Sequence, residues 1–403
     1  MRDRFQLGLM MFLQYAIWGS WAPVLSAYLL GDLSFGGTQV GFIYSLLPLA
    51  TIIAPFVGGQ IADRYFASEH TVAALQLSGG AVLLYAATLT DYRSLALVMF
   101  VYCLLYAPTL ALTNSIAMSN LEDSEEGFGK VRVWGTVGWI AAGWALAAWR
   151  ASAGIGTPAM GGDMFVLAGG FSILMGLQSF FLPHTPPRRD SRKPWAFLEA
   201  LRMLRDRDFA IFMTISFVVA TELQFYYVLT APYLQSAAIG ISPARVPAVM
   251  TIAQIAEILV LAVMLSWFLK RYGMRSTLAL GVIAWPIRYV VFAIGSPWWL
   301  VVASLTLHGF CFVFFFVAAF IYVDSVAPKD IRASAQSLIA IVTLGVGSFV
   351  GSIFAGYIQS RLTVDGVTDW FTVFLVPCAI TVLCALAYLL FFKDQRVAEA
   401  RAT

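Results

Sequence analysis

Residues 216–234 read SFVVATELQFYYVLTAPYL, and residues 249–268 read VMTIAQIAEILVLAVMLSWF. Each stretch is a mainly apolar run of about 20 residues, the length that an α-helix needs to cross ~30 Å of hydrocarbon. Each also carries one carboxyl group, Glu222 or Glu257, which is costly at that depth unless it is protonated, paired or hydrated. We therefore expect these two groups to belong to a polar cavity in a membrane protein.

The composition of the whole chain supports an all-α integral membrane protein. Hydrophobic residues make up 60% of the 403 positions and charged residues 12%, about half of the ~25% that is usual in soluble domains. The net charge of +3 gives no indication of nucleic-acid binding, because the basic residues mark loops between spans. The four cysteines lie in apolar runs without disulfide or zinc spacing, so we expect free thiols.

Hydropathy predicts 12 transmembrane helices. They are expected at residues 5–30, 39–62, 71–90, 94–118, 131–150, 163–182, 208–234, 246–269, 276–295, 298–323, 334–360 and 370–392.

The longest polar connection divides these spans into two sets of six. It predicts an N-terminal half at 1–182, a cytoplasmic central loop at 183–207 and a C-terminal half at 208–403, arranged as pseudo-symmetric repeats. Most of the 25 lysines and arginines fall on the side that holds the N-terminus. The positive-inside rule therefore places both termini in the cytoplasm.

Three polar positions in span five share one helical face. Arg132, Thr136 and Trp139 are four and seven residues apart, and they offer a fork of donors, a hydroxyl and a flat ring. This trio suits a ring compound with polar edges, either a nucleobase or a sugar. The alternative is that Arg132 is only the positive cytoplasmic end of the helix.

Spans seven and eight supply the other predicted polar groups. Gln224 and Tyr227 are three residues apart and face one way, whereas Glu222 points about 200° away from Gln224, toward a neighbouring helix. Gln254 and Glu257 project together. A carboxyl group shielded from water favours its protonated form, so Glu257 can take up a proton outside and release it when the cavity opens inward. The alternative for Glu257 is a structural, protonated glutamate.

Polar and aromatic residues elsewhere have weaker signals. Gln14 and Trp18 form a stripe on span one that favours a cavity wall, and Asn114 on span four has to face protein or water. His308 is interpreted as a helix-packing residue. Arg288 is expected either to snorkel outward or to pair with Glu257 or Glu222.

Several ordered motifs resemble one known family. The segment GQIADR at 59–64 matches the loop motif of the major facilitator superfamily, which implies the fold of that superfamily. A further ordered set is similar to the bacterial nucleoside:proton symporters, a group that includes nucleoside and xanthosine permeases. That set comprises FLQYAIWGSW at 12–21, YAPTL at 106–110, RVWGTVG at 132–138, ELQ at 222–224, QIAE at 254–257 and IRASAQ at 331–336.

The resemblance implies proton-driven nucleoside uptake and a set of ligand positions. Two positions depart from the family pattern: Tyr227 stands where an amide is frequent, and Val313 where an aspartate is frequent. The motif around Arg132 and Trp139 also resembles the fifth helix of lactose permease, which implies a sugar-like ligand as the alternative. The ligand positions implied by the family are Arg132, Thr136, Trp139, Gln224, Tyr227, Gln254, Glu257 and Phe312.

The remaining expectations concern gating, class and location. Asp63, Arg64 and Arg332 lie at cytoplasmic helix ends and are predicted to form gate ion pairs. The sequence contains no P-loop, HExxH or GxSxG motif, so a secondary transporter is favoured over an enzyme, a channel or a receptor. Symport is the predicted mode, with an uncoupled facilitator as an alternative. We expect a monomer in the bacterial inner membrane, with the proton as coupling ion and neither metal nor cofactor.

Overall fold

The computed structural model describes residues 2–121, 124–153, 161–187 and 197–393, without the side chains of 2, 55–65 and 124–126. Apart from one short hairpin, the regular structure is helical, and it contains the 12 expected helices. They are α1 (Arg2–Trp21), α2 (Gly37–Tyr65), α3 (Ser68–Ala86), α4 (Tyr92–Ser119), α5 (Ser124–Ser152), α6 (Asp163–Ser179), α7 (Arg207–Gln235), α8 (246–272), α9 (274–294), α10 (Trp298–Val326), α11 (Arg332–Arg361) and α12 (Trp370–Phe391).

Helices α8 and α9 follow each other directly and are separated only by a kink at Gly273. This residue has φ 80° and ψ 176°, a backbone conformation that glycine adopts without steric cost. Seven helical segments within the described residues are long and apolar enough to cross a membrane, and the run Val246–Ile294 counts as one of them. The break at Gly273 falls between the predicted spans 246–269 and 276–295.

The structure adds short elements that the hydropathy pattern did not predict. The first predicted span ends as a helix at Trp21 and resumes as Leu25–Ala27 and a π-helical turn. The predicted central loop contains helical turns at Phe197–Ala200 and Leu201–Arg205. A hairpin of two short antiparallel strands, β1 (Thr363–Val364) and β2 (Val367–Thr368), connects α11 to α12.

Three of the long helices contain π-helical stretches. They occur at Val260–Leu265 in α8, Phe312–Val317 in α10 and Ile341–Gly347 in α11. Such stretches widen a helix locally and are frequent at functional sites. The stretch in α8 begins three residues after Glu257, and the stretch in α10 begins at Phe312. The stretch in α11 ends just before Ser348, the first of two serines that are described below.

The chain divides into two compact units. The first contains residues 1–194 and 231–251, and the second contains residues 195–230 and 252–403. Within the first unit, α1 and α5 approach closely because glycines face the partner helix. A side chain at Gly19 would collide with Trp139, and one at Gly138 would collide with the backbone of Phe12. Small residues commonly permit such close helix contacts in membranes.

The second unit uses the same device between other helices. A side chain at Gly351 in α11 would overlap the backbone of Thr221 in α7, and one at Gly281 in α9 would overlap the backbone of Phe314 in α10. These contacts fix the positions of α7 and α11, which carry Gln224 and its partner serines, and of α9 and α10, which carry Arg288 and His308. The four cysteines are buried and free, as expected.

Candidate functional site

Arg132 in the first unit lies against an aromatic cluster. Its guanidinium carbon is 4.0 Å from the centre of the Tyr15 ring. The Tyr15 and Trp18 rings are 6.4 Å apart, and the Trp18 and Trp139 rings meet edge to face at 5.4 Å. Arg132 and Trp18 are half-buried, and Thr136 lies one helical turn from Arg132 and is also half-buried. Three predicted site residues, Arg132, Trp18 and Trp139, therefore share one cluster.

Sequence reasoning did not identify Tyr15 as part of this cluster. Tyr15 lies three residues before Trp18, on the same face of α1, and that spacing was the available signal. The close approach of α1 and α5 places its ring under Arg132. A Cβ atom at Gly135 would lie 2.6 Å from Tyr15 Cδ2 and 2.8 Å from Arg132 Nη1, so the glycine leaves room for this contact.

Gln14 belongs to a buried amide network behind the cluster. Its Nε2 donates to Thr109 Oγ1 at 2.9 Å, and its Oε1 accepts from Gln76 Nε2 at 3.0 Å. Gln76 Oε1 in turn accepts from Ser172 Oγ at 2.7 Å. Gln14 is fully buried, so in this conformation its polar atoms bond within the first unit. The half-buried Asn114 has a buried Oδ1 that has no hydrogen-bond partner among the described residues.

Gln224 in the second unit is held by α11. Its Nε2 donates to Ser348 Oγ at 3.0 Å, and its Oε1 accepts from Ser352 Oγ at 3.2 Å. The two serines are one turn apart, and sequence reasoning missed them. Glu222 is 1% exposed; its Oε1 accepts a 3.3 Å bond from Thr221, and its Oε2 has no partner in the described part of the chain.

Tyr226 and His308 form the centre of a second aromatic cluster. Their rings stack at 4.5 Å, and the His308 ring stacks on Phe312 at 5.7 Å. The Tyr227 ring meets the Tyr226 ring at 5.2 Å. Tyr227 and Phe312 are half-buried, whereas Tyr226 and His308 are fully buried.

Gln254 and Glu257 lie on α8, which packs against α10 beside this cluster. A Cβ atom at Gly309, the residue after His308, would lie 2.7 Å from the carbonyl oxygen of Ala256, the residue before Glu257. Glu257 is half-buried, and neither the Tyr226 hydroxyl nor Gln254 Oε1 has a hydrogen-bond partner among the described residues. Tyr227 and Phe312, both expected from the sequence, therefore join a ring cluster with Tyr226 and His308, which were not expected in a site.

The structure corrects the interpretation of Arg288, and it does not test the gate role of Asp63 and Arg64. Arg288 is fully buried, so the expectation that it snorkels outward is wrong. Arg332 is exposed, and its Nε lies 3.6 Å from Asp324 Oδ1. The side chains of Asp63 and Arg64 lie outside the described residues, so their gate role stays a prediction.

The fold defines the class of protein. The crystal structure of a D-xylose-proton symporter superposes with a TM-score of 0.71 at 14% identity, covering 97% of this chain and 98% of that chain. The crystal structure of the nucleoside transporter NupG superposes with a TM-score of 0.87 at 28% identity, covering 98% and 100%. The chain is therefore a multi-pass membrane transporter of the major facilitator fold, not an enzyme.

Sequence comparison identifies the family. A family model described as nucleoside H+ symporter matches residues 1–397. The xanthosine permease of Escherichia coli (strain K12) is 32% identical over 407 residues, covering 96% of this chain and 95% of the permease. The nucleoside permease NupG of the same organism is 30% identical over 415 residues, covering 98% and 97%. The chain belongs to the nucleoside H+ symporter family.

Proposed function

We propose that this chain carries nucleosides into the cell together with protons. The family match across residues 1–397 is the observation that carries this proposal. The two clusters supply chemistry that suits such a substrate. Flat aromatic rings stack on a nucleobase, whereas amide and guanidinium groups bond its polar edge or the ribose hydroxyls.

Each cluster has proposed substrate contacts. In the first unit these are Arg132, Thr136 and Trp139, with Trp18, Gln14 and Asn114 as further contacts. In the second unit they are Gln224, Tyr227, Gln254, Glu257 and Phe312. Gln254 is the best-supported amide, because its buried Oε1 has no partner in the described structure and can accept a bond from a substrate donor. Gln224 has to exchange its bonds to Ser348 and Ser352 before it can do the same.

Proton coupling is proposed to depend on Glu257, with Glu222 as a second candidate. Glu257 is half-buried and therefore less enclosed than Glu222, and it lies one helical turn after the proposed substrate contact Gln254. Glu222 is more deeply enclosed, and its carboxyl group accepts a bond from its neighbour Thr221. Glu257 is therefore the better-placed proton carrier.

The proposal includes the division, gating and location of the protein. Residues 1–182 and 208–403 act as the two halves, joined by the loop at 183–207, with Asp63, Arg64 and Arg332 in cytoplasmic gate contacts. The protein works as a monomer in the bacterial inner membrane, and both termini are cytoplasmic. Protease accessibility of tags at each terminus in oriented vesicles tests the topology.

A binding panel on purified protein tests the substrate class. Nucleosides, free nucleobases and monosaccharides are compared by thermal shift and by isothermal titration. Stabilisation by nucleosides, with weaker effects of free bases and none of sugars, is the expected result. Binding of sugars with no response to nucleosides would replace the nucleoside assignment with the sugar alternative.

A further inference from the structure

A short helical element lies directly before α7, and we call it the surface element. It consists of the α-helical turn Phe197–Ala200 and the 3-10 turn Leu201–Arg205, and only Asp206 separates it from Arg207, where α7 begins. Residues three apart share a face in a 3-10 helix and are neighbours on an α-helix. The surface element therefore has three faces.

The first face packs on the protein. Ala200 and Met203 are buried, and the element contacts the first part of α11, which begins at Arg332. Arg202 Nη2 pairs at 2.7 Å with Oδ2 of Asp330, which lies in the connection between α10 and α11. The surface element is therefore held where α7 and α11 begin and α10 ends, at one end of three membrane helices.

The second face consists of three leucines that the rest of the chain leaves exposed. Leu198, Leu201 and Leu204 are 47%, 41% and 40% exposed. The whole element is about 15 Å long at 1.5–2.0 Å per residue, so its leucines stay close to the start of α7. An amphipathic helix at that level buries its apolar side chains at the boundary between lipid headgroups and acyl chains. The leucine face therefore has an apolar medium within reach.

The third face is charged. It carries Glu199, Arg202 and Arg205, all exposed, and the exposed Arg207 follows at the start of α7. Arg202 is paired with Asp330, whereas Arg205 and Arg207 have no ion-pair partner among the described residues.

The sequence around the element has the same sign of charge. Residues 188–207 contain seven arginines and lysines against three acidic residues. A basic excess next to a membrane helix attracts anionic lipid headgroups. The charge complementarity therefore favours an anionic membrane surface over other apolar partners of the leucine face.

We propose that the surface element is a docking site for anionic phospholipids. Its leucines enter the lipid at the headgroup boundary, while Arg205 and Arg207 donate hydrogen bonds to lipid phosphates. Arg202 has a different task, since its pair with Asp330 fixes the element to the connection between α10 and α11. This inference concerns a lipid partner and does not depend on the substrate of the transporter.

The test measures whether the leucine face enters the lipid. Full-length protein with Leu201→Cys is labelled with a fluorophore, and the four native cysteines are buried, so the label reacts at the new position. The protein is placed as single copies in nanodiscs of phosphatidylcholine, with or without an equal part of phosphatidylglycerol. Brominated acyl chains quench a fluorophore in the lipid, and acrylamide quenches one in water. Glu199→Cys, on the charged face, is the matched control position.

We expect quenching by brominated lipid at Leu201→Cys to be at least about twofold stronger with phosphatidylglycerol than without it, and this difference should shrink at high salt. Glu199→Cys should be quenched less in both lipids. Adding Arg205→Gln and Arg207→Gln should remove the difference between the lipids. The control pair Arg245→Gln and Arg361→Gln, which removes two other exposed arginines, should leave it unchanged.

Three results would overturn the inference. The first is equal lipid quenching of Leu201→Cys with and without phosphatidylglycerol. The second is quenching by acrylamide alone, which would leave the leucine face open to water or to a soluble protein. The third is an unchanged lipid difference after loss of both arginines. If that variant does not fold, the salt dependence decides, and a difference that persists at high salt contradicts the inference.

Discussion

The guanidinium carbon of Arg132 lies 4.0 Å from the centre of the Tyr15 ring, which joins α5 to α1 at the proposed substrate contacts of the first unit. A cation over an aromatic face is stabilised by roughly 0.5–2 kcal/mol, depending on its exposure. Tyr15 thereby sets the direction in which the Arg132 donors point.

Replacing Tyr15 with leucine should weaken nucleoside binding about fivefold, because a loss near 1 kcal/mol corresponds to that change in Kd. Isothermal titration provides the measurement. Tyr15→Phe keeps the ring and serves as the control, so it should bind like the parent. Equal weakening in both variants would assign the effect to the hydroxyl and not to the ring.

Replacing Glu257 with glutamine should abolish concentrative uptake and leave exchange at least partly intact, because the amide cannot release a proton. Glu222→Gln is the matched control, and it should retain more of the gradient-driven uptake. Both rates are measured with labelled nucleoside in proteoliposomes. A larger loss of coupling in Glu222→Gln would exchange the roles of the two glutamates.

The two glutamines should respond differently to alanine substitution. Gln254→Ala removes an amide whose Oε1 has no described partner, so it should weaken binding while the melting temperature stays near that of the parent. Gln224→Ala removes the hydrogen bonds to Ser348 and Ser352, whose hydroxyls keep backbone bonds within α11, and the loss of two bonds should cost about 1–3 kcal/mol of stability. Thermal unfolding and ligand titration of both variants separate these effects. A lower melting temperature for Gln254→Ala than for Gln224→Ala would reverse this assignment.

Arg150 and Asp163 form an enclosed bidentate ion pair between α5 and α6 in the first unit. The bonds are 2.6 Å from Nε to Oδ2 and 2.7 Å from Nη2 to Oδ1, and the side chains are 8% and 3% exposed.

Asp163→Asn should lower stability by about 3–5 kcal/mol, because it leaves an enclosed arginine without its carboxylate. Combining it with Arg150→Met should recover part of that loss. Thermal unfolding in detergent gives the comparison, and an unchanged melting temperature in Asp163→Asn would show that the pair contributes little.

The sequence was sufficient to predict the helices because each one is an apolar segment of about 20 residues, a signal that is local in the chain. It was also sufficient to place Arg132 and Trp139 on one face, since helical periodicity is local. The bonds of Gln224 to Ser348 and Ser352 span 124 and 128 residues, and no local pattern indicates which helices will touch. For the same reason His308 was interpreted as simple packing. Tyr15 differs, because its spacing from Trp18 was a local signal that the sequence analysis did not use.

The π-helical stretches also escaped prediction. They depend on how one helix accommodates its neighbours, so the apolar residues 260–265, 312–317 and 341–347 carry no local signal for them. The surroundings of Arg288 also could not be predicted from the sequence. The sequence showed that a charge lies in a membrane helix, but only the packing of α7, α9 and α10 shows that aromatic rings and His308 enclose it.

Simultaneous recording of nucleoside accumulation and internal pH tests the central claim most directly. Purified protein in proteoliposomes is given a pH gradient, acidic outside, with labelled nucleoside and an internal pH dye. We predict accumulation above the external concentration, accompanied by internal acidification, with both abolished by a protonophore. Accumulation that persists after the gradient is collapsed, or that proceeds without internal acidification, would contradict proton-coupled uptake.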